Sequence, residues 1–200
     1  MASASRPGGR LDWKEMTQTR ARLLCSLGLM VLASGCGGGA GTTMPGPIGG
    51  TVVAFILASH DFEPETPIPR QFTCDGANSP PELHWSGAPE GTVSYALVME
   101  DPDAPSGNWV HWVVYNIPAS VQELIGPLPR GAVSGTTSYG TSAYGGPCPP
   151  GGVHRYFFRL YALDHELNLA GGADKNQLME AQRGHVLGEA ELMGTYARQR

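Results

Sequence analysis

Between two apolar runs, VSYALVME (93–100) and WVHWVVYNI (109–117), the chain reads DPDAPSGN, and this turn limits the fold more than any other stretch. Proline locks its own φ and cannot donate to a ladder, and Pro102 also biases Asp101 toward an extended conformation. The flanking runs are rich in β-branched and aromatic residues, so they are predicted to be two strands joined by this stiff polar turn. Asp101 and Asp103 are held two residues apart on it. They are candidates either for plain turn caps bonded to nearby amides or for one wall of a polar pocket.

The rest of the chain agrees with a mainly β domain. TVVAFILAS (51–59) reads as a first strand, HRYFFRLYAL (154–163) as another, and residues 186–196 alternate with a period of two, as a last strand does. Asp174 opens one helix, with Gln177 positioned to complete a capping box and Gly184 to stop it. The 28 Gly and 17 Pro suit short strands linked by ordered turns. Residues 60–87 are studded with both and leave room only for short extended pieces. Residues 118–152 form a long loop section, and its YGGPCPPGG core favours a functional role.

The first residues stand apart. From Met16 the chain reads MTQTRARLLCSLGLMVLASGC: arginines, an apolar run from Leu23 to Ala33, small residues, then Cys36. A membrane span needs about 20 apolar residues, so the run reads as a secretion signal instead. Its ending resembles a bacterial lipobox, which makes Cys36 the expected lipidation site and the periplasmic side of a membrane the expected location. Residues 1–35 are thus assigned to the signal, 1–15 of them as a start-site artefact ahead of a complete signal. Residues 36–50 are a flexible Gly-rich tether, and 51–200 the folded domain. From Cys36 onward, 8 Lys and Arg face 16 Asp and Glu, a formal charge of −8 that argues against nucleic-acid binding. In an oxidising compartment Cys74 and Cys148 leave two readings open, a disulfide, which is favoured, or two small buried thiols.

Three further side chains could carry chemistry. Strand alternation predicts that His111 faces away from both Val110 and Trp112, and that His154 and Tyr156 share a face opposite Arg155. Taken singly, a strand histidine is more often a packing residue. Taken together, DPDAP, the Trp-x-His spacing, a Gly-Pro-rich loop and GVHRY resemble, in this order, the phosphatidylethanolamine-binding protein family. FTCDGANSPPELHWSG, NWVHWVVYNIPA, YGGPCPPGG and RYFFRLYALD resemble its bacterial Raf kinase inhibitor-like branch, over Phe55 to Arg198.

The resemblance implies two antiparallel sheets with a few peripheral helices, and a small pocket that accepts phosphate-like anions, a phospholipid head group included. It assigns that pocket to Asp101, His111, His154 and Tyr156, with a backbone amide from Gly146. Val110 departs from relatives in which a second histidine precedes this one. The chemistry suits the residues. Imidazole N–H, phenol O–H and amide groups are donors that can surround an anion, while Asp101 can orient a histidine or receive an ammonium group. No cofactor or metal is expected, because neither HExxH nor CxxC spacing occurs and Ser106 lacks a nucleophile-elbow setting. Two rival readings remain: an inhibitor or interaction protein acting on a protease or other protein, and an acid–base or metal-dependent hydrolase using the same side chains.

Overall fold

β3 (Ser94–Asp101) is buried along its entire length, and the architecture follows from that. A strand covered on both faces needs a layer on each side. β3 lies at the centre of a five-stranded antiparallel sheet of order β6-β4-β3-β7-β8, with β4 Trp109–Pro118, β6 Val133–Ser134, β7 His154–Leu163 and β8 Val186–Tyr196. A second sheet of order β1-β2-β5 is formed by Ile56–Ser59, Leu83–Ser86 and Glu123–Leu124. These elements come from a computed structural model that describes residues 54–198. The proposed signal, Cys36 and the tether lie outside the described residues.

Alternation along the strands divides the core in two. Tyr95, Leu97 and Met99 of β3 join Trp112, Val114, Tyr156, Phe158 and Leu160 in a cluster that also takes Leu57, Leu83 and Trp85 from the small sheet. Ala96 and Val98 face the other way, toward Val113, Tyr115, Leu167 and Leu178. Leu178 belongs to α1 (Lys175–Ala181), the one α-helix among the described residues, and a single 3-10 turn at Arg70–Phe72 accompanies it. The helix begins as its sequence predicts: Asp174 accepts the Gln177 amide while the Gln177 side chain accepts the Asp174 amide.

β8 would be an exposed edge, a liability that the proline-rich meander removes. The amides of Glu65 and Ile68 donate to the carbonyls of Met193 and Thr195, and the Thr195 amide donates to Thr66. The approach is close enough that a Cβ at Gly194 would lie 2.6 Å from Ile68. Residues 118–152 are less loose than their composition suggests. Besides β5 and β6 they run beside β4, where Gly135, Ser138 and Gly145 donate to the carbonyls of Val113, Val110 and His111. Cys74 and Cys148 are joined by a disulfide with a Cα separation of 5.4 Å, which ties the meander to this loop.

Candidate functional site

Four of the side chains singled out in the sequence meet at one end of the large sheet, on the face that looks toward the small one. Asp101 ends β3 and follows the parity of Tyr95, Leu97 and Met99. His154 and Tyr156 open β7 on the same face, with Arg155 exposed on the other. His111 reaches this face for a different reason. Met99 pairs with Trp112 but Glu100 pairs with Val110, so His111 is the extra residue of a β-bulge. A bulge breaks the alternation and re-aims a side chain. Strict alternation had His111 facing away from Trp112; instead its ring packs edge-on against Tyr156 at 5.2 Å, in the cluster that also receives Trp112.

The cluster is nearly closed to solvent: Asp101 is 3% exposed, His111 2%, His154 6% and Tyr156 0%. Polar groups buried this deeply need partners. His154 Nδ1 lies 2.8 Å from Asp101 Oδ2, and Asp101 Oδ1 accepts the Asp103 amide at 2.8 Å. One carboxylate thus caps the turn and orients the imidazole. His111 Nδ1 lies 2.6 Å from the Gly145 carbonyl oxygen. A carbonyl only accepts, so Nδ1 carries the proton and neutral His111 presents a bare Nε2 lone pair. Two atoms are left over: His111 Nε2 and the Tyr156 hydroxyl are buried with no hydrogen-bonding partner.

Electrostatics follow from this burial. Desolvation holds the His111 pKa below its ordinary value, outweighing the Gly145 carbonyl and the charge of Asp101, which act to raise it. Desolvation first, and then the Asp101 charge, push the Tyr156 phenol well above its usual range. Tyr156 is therefore a neutral donor at any physiological pH. Asp103, the other aspartate of the turn, stands outside the cluster. It takes the Arg155 amide and side chain at 2.7–3.0 Å across the strands. The Arg155 hydrogen bonds bring the Asp103 carboxyl down to about 2, although both groups are solvent-accessible and the pair adds little to stability.

Gly146 sits beside the cluster, but its amide is already spent. It donates to Asn78 Oδ1 at 2.7 Å, so the ligand-facing amide expected from the sequence is turned toward the meander. A glycine is needed there for closeness: a Cβ would lie 2.4 Å from the Phe72 carbonyl oxygen. Sequence reasoning missed Asn78, whose left-handed φ of 56° lets its side chain reach the loop. It also missed Tyr139, whose ring stands edge-on to both Trp109 and His111 at 5.4 and 5.6 Å. The SYG turn around Tyr139 carries no signal beyond an aromatic in a Gly-rich loop. A groove of about 780 Å³ opens alongside, lined by Ile68, Arg70, Asp75, Val153, Tyr196 and Arg198 among others. None of the four cluster residues lines it. It adjoins them only through Val153, which precedes His154, and Tyr196, which pairs with His154 across β7 and β8.

This arrangement defines a β-sandwich protein with a buried, histidine-bearing polar cluster at one end of its large sheet. The phosphatidylethanolamine-binding protein family model matches residues 58–197, and the chain belongs to that family. A UPF0098 protein of Methanothermobacter thermautotrophicus is 52% identical over 148 residues, covering 71% of this chain and 98% of the relative. A Mycobacterium tuberculosis protein provisionally named lipoprotein LppC is 40% identical over 186 residues, covering 85% and 92%. Among solved structures, the phosphatidylethanolamine-binding protein homologue CT736 of Chlamydia trachomatis is 41% identical with a TM-score of 0.70, over 73% of this chain and 99% of its own. E. coli YbcL, described as a member of the mammalian family, is 33% identical with a TM-score of 0.69, over 72% and 99%.

Proposed function

We propose that this chain is an exported, lipid-anchored binding protein whose recess of Asp101, His111, His154 and Tyr156 holds a phosphate-like or other small anionic group, without catalysing a reaction on it. The observation that carries this reading is the pair of unpartnered buried atoms, His111 Nε2 and the Tyr156 hydroxyl, beside an imidazole held by Asp101. A buried polar atom without a partner costs roughly 1–3 kcal/mol. An oxyanion would relieve that cost. It accepts from the phenol, from His154 Nε2–H and, once His111 is protonated, from His111 Nε2–H.

A head-group-sized anion is the occupant proposed, with any acyl chain outside the buried cluster. Asp101 positions His154 and is placed to receive an ammonium group beside the phosphate, which makes phosphoethanolamine the natural probe. Export through Cys36 rests on the signal-like sequence and on the similarity to lipoprotein LppC. Calorimetric titration with phosphoethanolamine and with inorganic phosphate tests the reading. The wild-type protein binds, and His154→Ala loses binding by more than tenfold while staying folded. Equal affinity in the two proteins, or no binding by either, contradicts it. Were the chain instead an inhibitor acting through its surface, His154→Ala would leave inhibition intact.

A further inference from the structure

The opposite end of β7 carries a second cluster. β7 runs from His154 at the recess to Leu163, and the next two residues are Asp164 and His165; His185 stands immediately before β8. His165 Nδ1 and His185 Nδ1 both lie 2.9 Å from one oxygen, Asp164 Oδ1. The two imidazole centroids are 4.0 Å apart with planes tilted by 56°. Backbone bonds fix all three positions. The Asp164 amide donates to the His185 carbonyl, the His185 amide donates to Gln182, and the buried Ser94 hydroxyl donates to the His165 carbonyl at 2.6 Å.

We infer that Asp164, His165 and His185 form a binding site for a divalent transition metal of the zinc class. Two imidazole nitrogens and one carboxylate oxygen are a donor set suited to such ions. Tetrahedral ligands on bonds of about 2.0–2.1 Å stand about 3.3 Å apart. The two observed 2.9 Å separations are therefore within a few tenths of an ångström of that spacing. Binding moves each neutral imidazole from its Nδ1–H to its Nε2–H tautomer, which frees both Nδ1 lone pairs with no net loss of a proton. The side chains are 44, 39 and 47% exposed, so water can complete the coordination. The motif is invisible in the sequence because 19 residues (166–184), including α1, lie between its two halves; left-handed Gly184, with φ of 81°, brings the chain back to the end of β7.

The test is calorimetric titration of tag-free protein with zinc chloride, with copper(II) electron paramagnetic resonance as the second readout. One-site zinc binding is expected, weakened at least about tenfold by His165→Ala and by His185→Ala. Both variants are expected to keep the wild-type circular dichroism spectrum, and excess magnesium is not expected to compete. Copper(II) should show coupling to two nitrogens in the wild-type protein and to fewer in either variant. Absence of one-site zinc binding, binding that survives both substitutions, or binding lost in His154→Ala but kept in His165→Ala would overturn the assignment.

Discussion

Each end of the long β7 strand brings histidine and aspartate together, and the two ends behave differently because of what covers them. At the first end, Asp101 and His154 are 3% and 6% exposed, next to His111 and the loop whose Gly145 carbonyl lies against it. There every hydrogen bond is consequential, and two buried atoms, His111 Nε2 and the Tyr156 hydroxyl, are without a partner. At the other end, Asp164, His165 and His185 stand in solvent, where the same 2.9 Å contacts add little to stability. Burial turns one pair into an oriented, desolvated cluster; exposure leaves the other open to a cation, which its imidazoles can take up by changing tautomer. The neighbouring carboxylates Glu100 and Asp101 repeat the lesson at one step along β3. Glu100 points to the helix-side face and is spent on Arg159, Lys175 and Asn108, whereas Asp101 points to the recess.

The comparison can be strained in three ways. Breaking the disulfide should have the largest effect. It closes a loop with a sequence separation of 74 residues, for which chain entropy predicts about 4 kcal/mol. Urea unfolding of oxidised and reduced protein measures it, with the loss expected to be accompanied by weaker phosphoethanolamine binding because the bridge holds the loop that carries Gly145. Next, Asp101→Ala should cost about 3 kcal/mol of stability, since it strands a buried imidazole and frees the turn amide. Asp164→Ala should stay within about 0.5 kcal/mol; equal costs in parallel denaturation curves would erase the distinction between the two ends. The smallest effect belongs to Tyr156→Phe. Removing an unpartnered hydroxyl should leave stability unchanged or slightly raised, while phosphoethanolamine affinity falls by about 1 kcal/mol, roughly fivefold.

Much of this was legible in the sequence because it depends on local rules. The strand at 154–163, the alternation at 186–196 and the Asp174 capping box follow from side-chain period and backbone chemistry, and they occur at those residues. The family resemblance also placed Asp101, His111, His154 and Tyr156 as one set, and the fold brings them to one end of one sheet face. What escaped depends on distant parts of the chain. The short strands β2 and β5 exist only because they pair with each other and with β1. The bulge that re-aims His111 is a mismatch between two strands, which neither strand reveals alone. Similarly, the Gly146 amide is captured by Asn78, 68 residues away.

In the proposed function, the buried cluster awaits an anion with His111 neutral and its proton on Nδ1. Two pH trends of opposite sign follow. Burial lowers the folded-state pKa of His111, so the unfolded chain binds more protons between that lowered value and about 6.5. His111 therefore costs no stability above about pH 6.5 and costs progressively more as pH falls below it. Anion affinity moves the other way, rising as pH falls, because the ligand favours the imidazolium. Long-range proton–nitrogen NMR of the imidazoles during a phosphoethanolamine titration tests the claim most directly. At neutral pH the free protein should show His111 as the Nδ1–H tautomer, and adding the ligand should shift Nε2 of both His111 and His154, with tighter binding at mildly acidic pH. An Nε2–H tautomer at His111, unshifted resonances, or an affinity flat with pH would contradict the account.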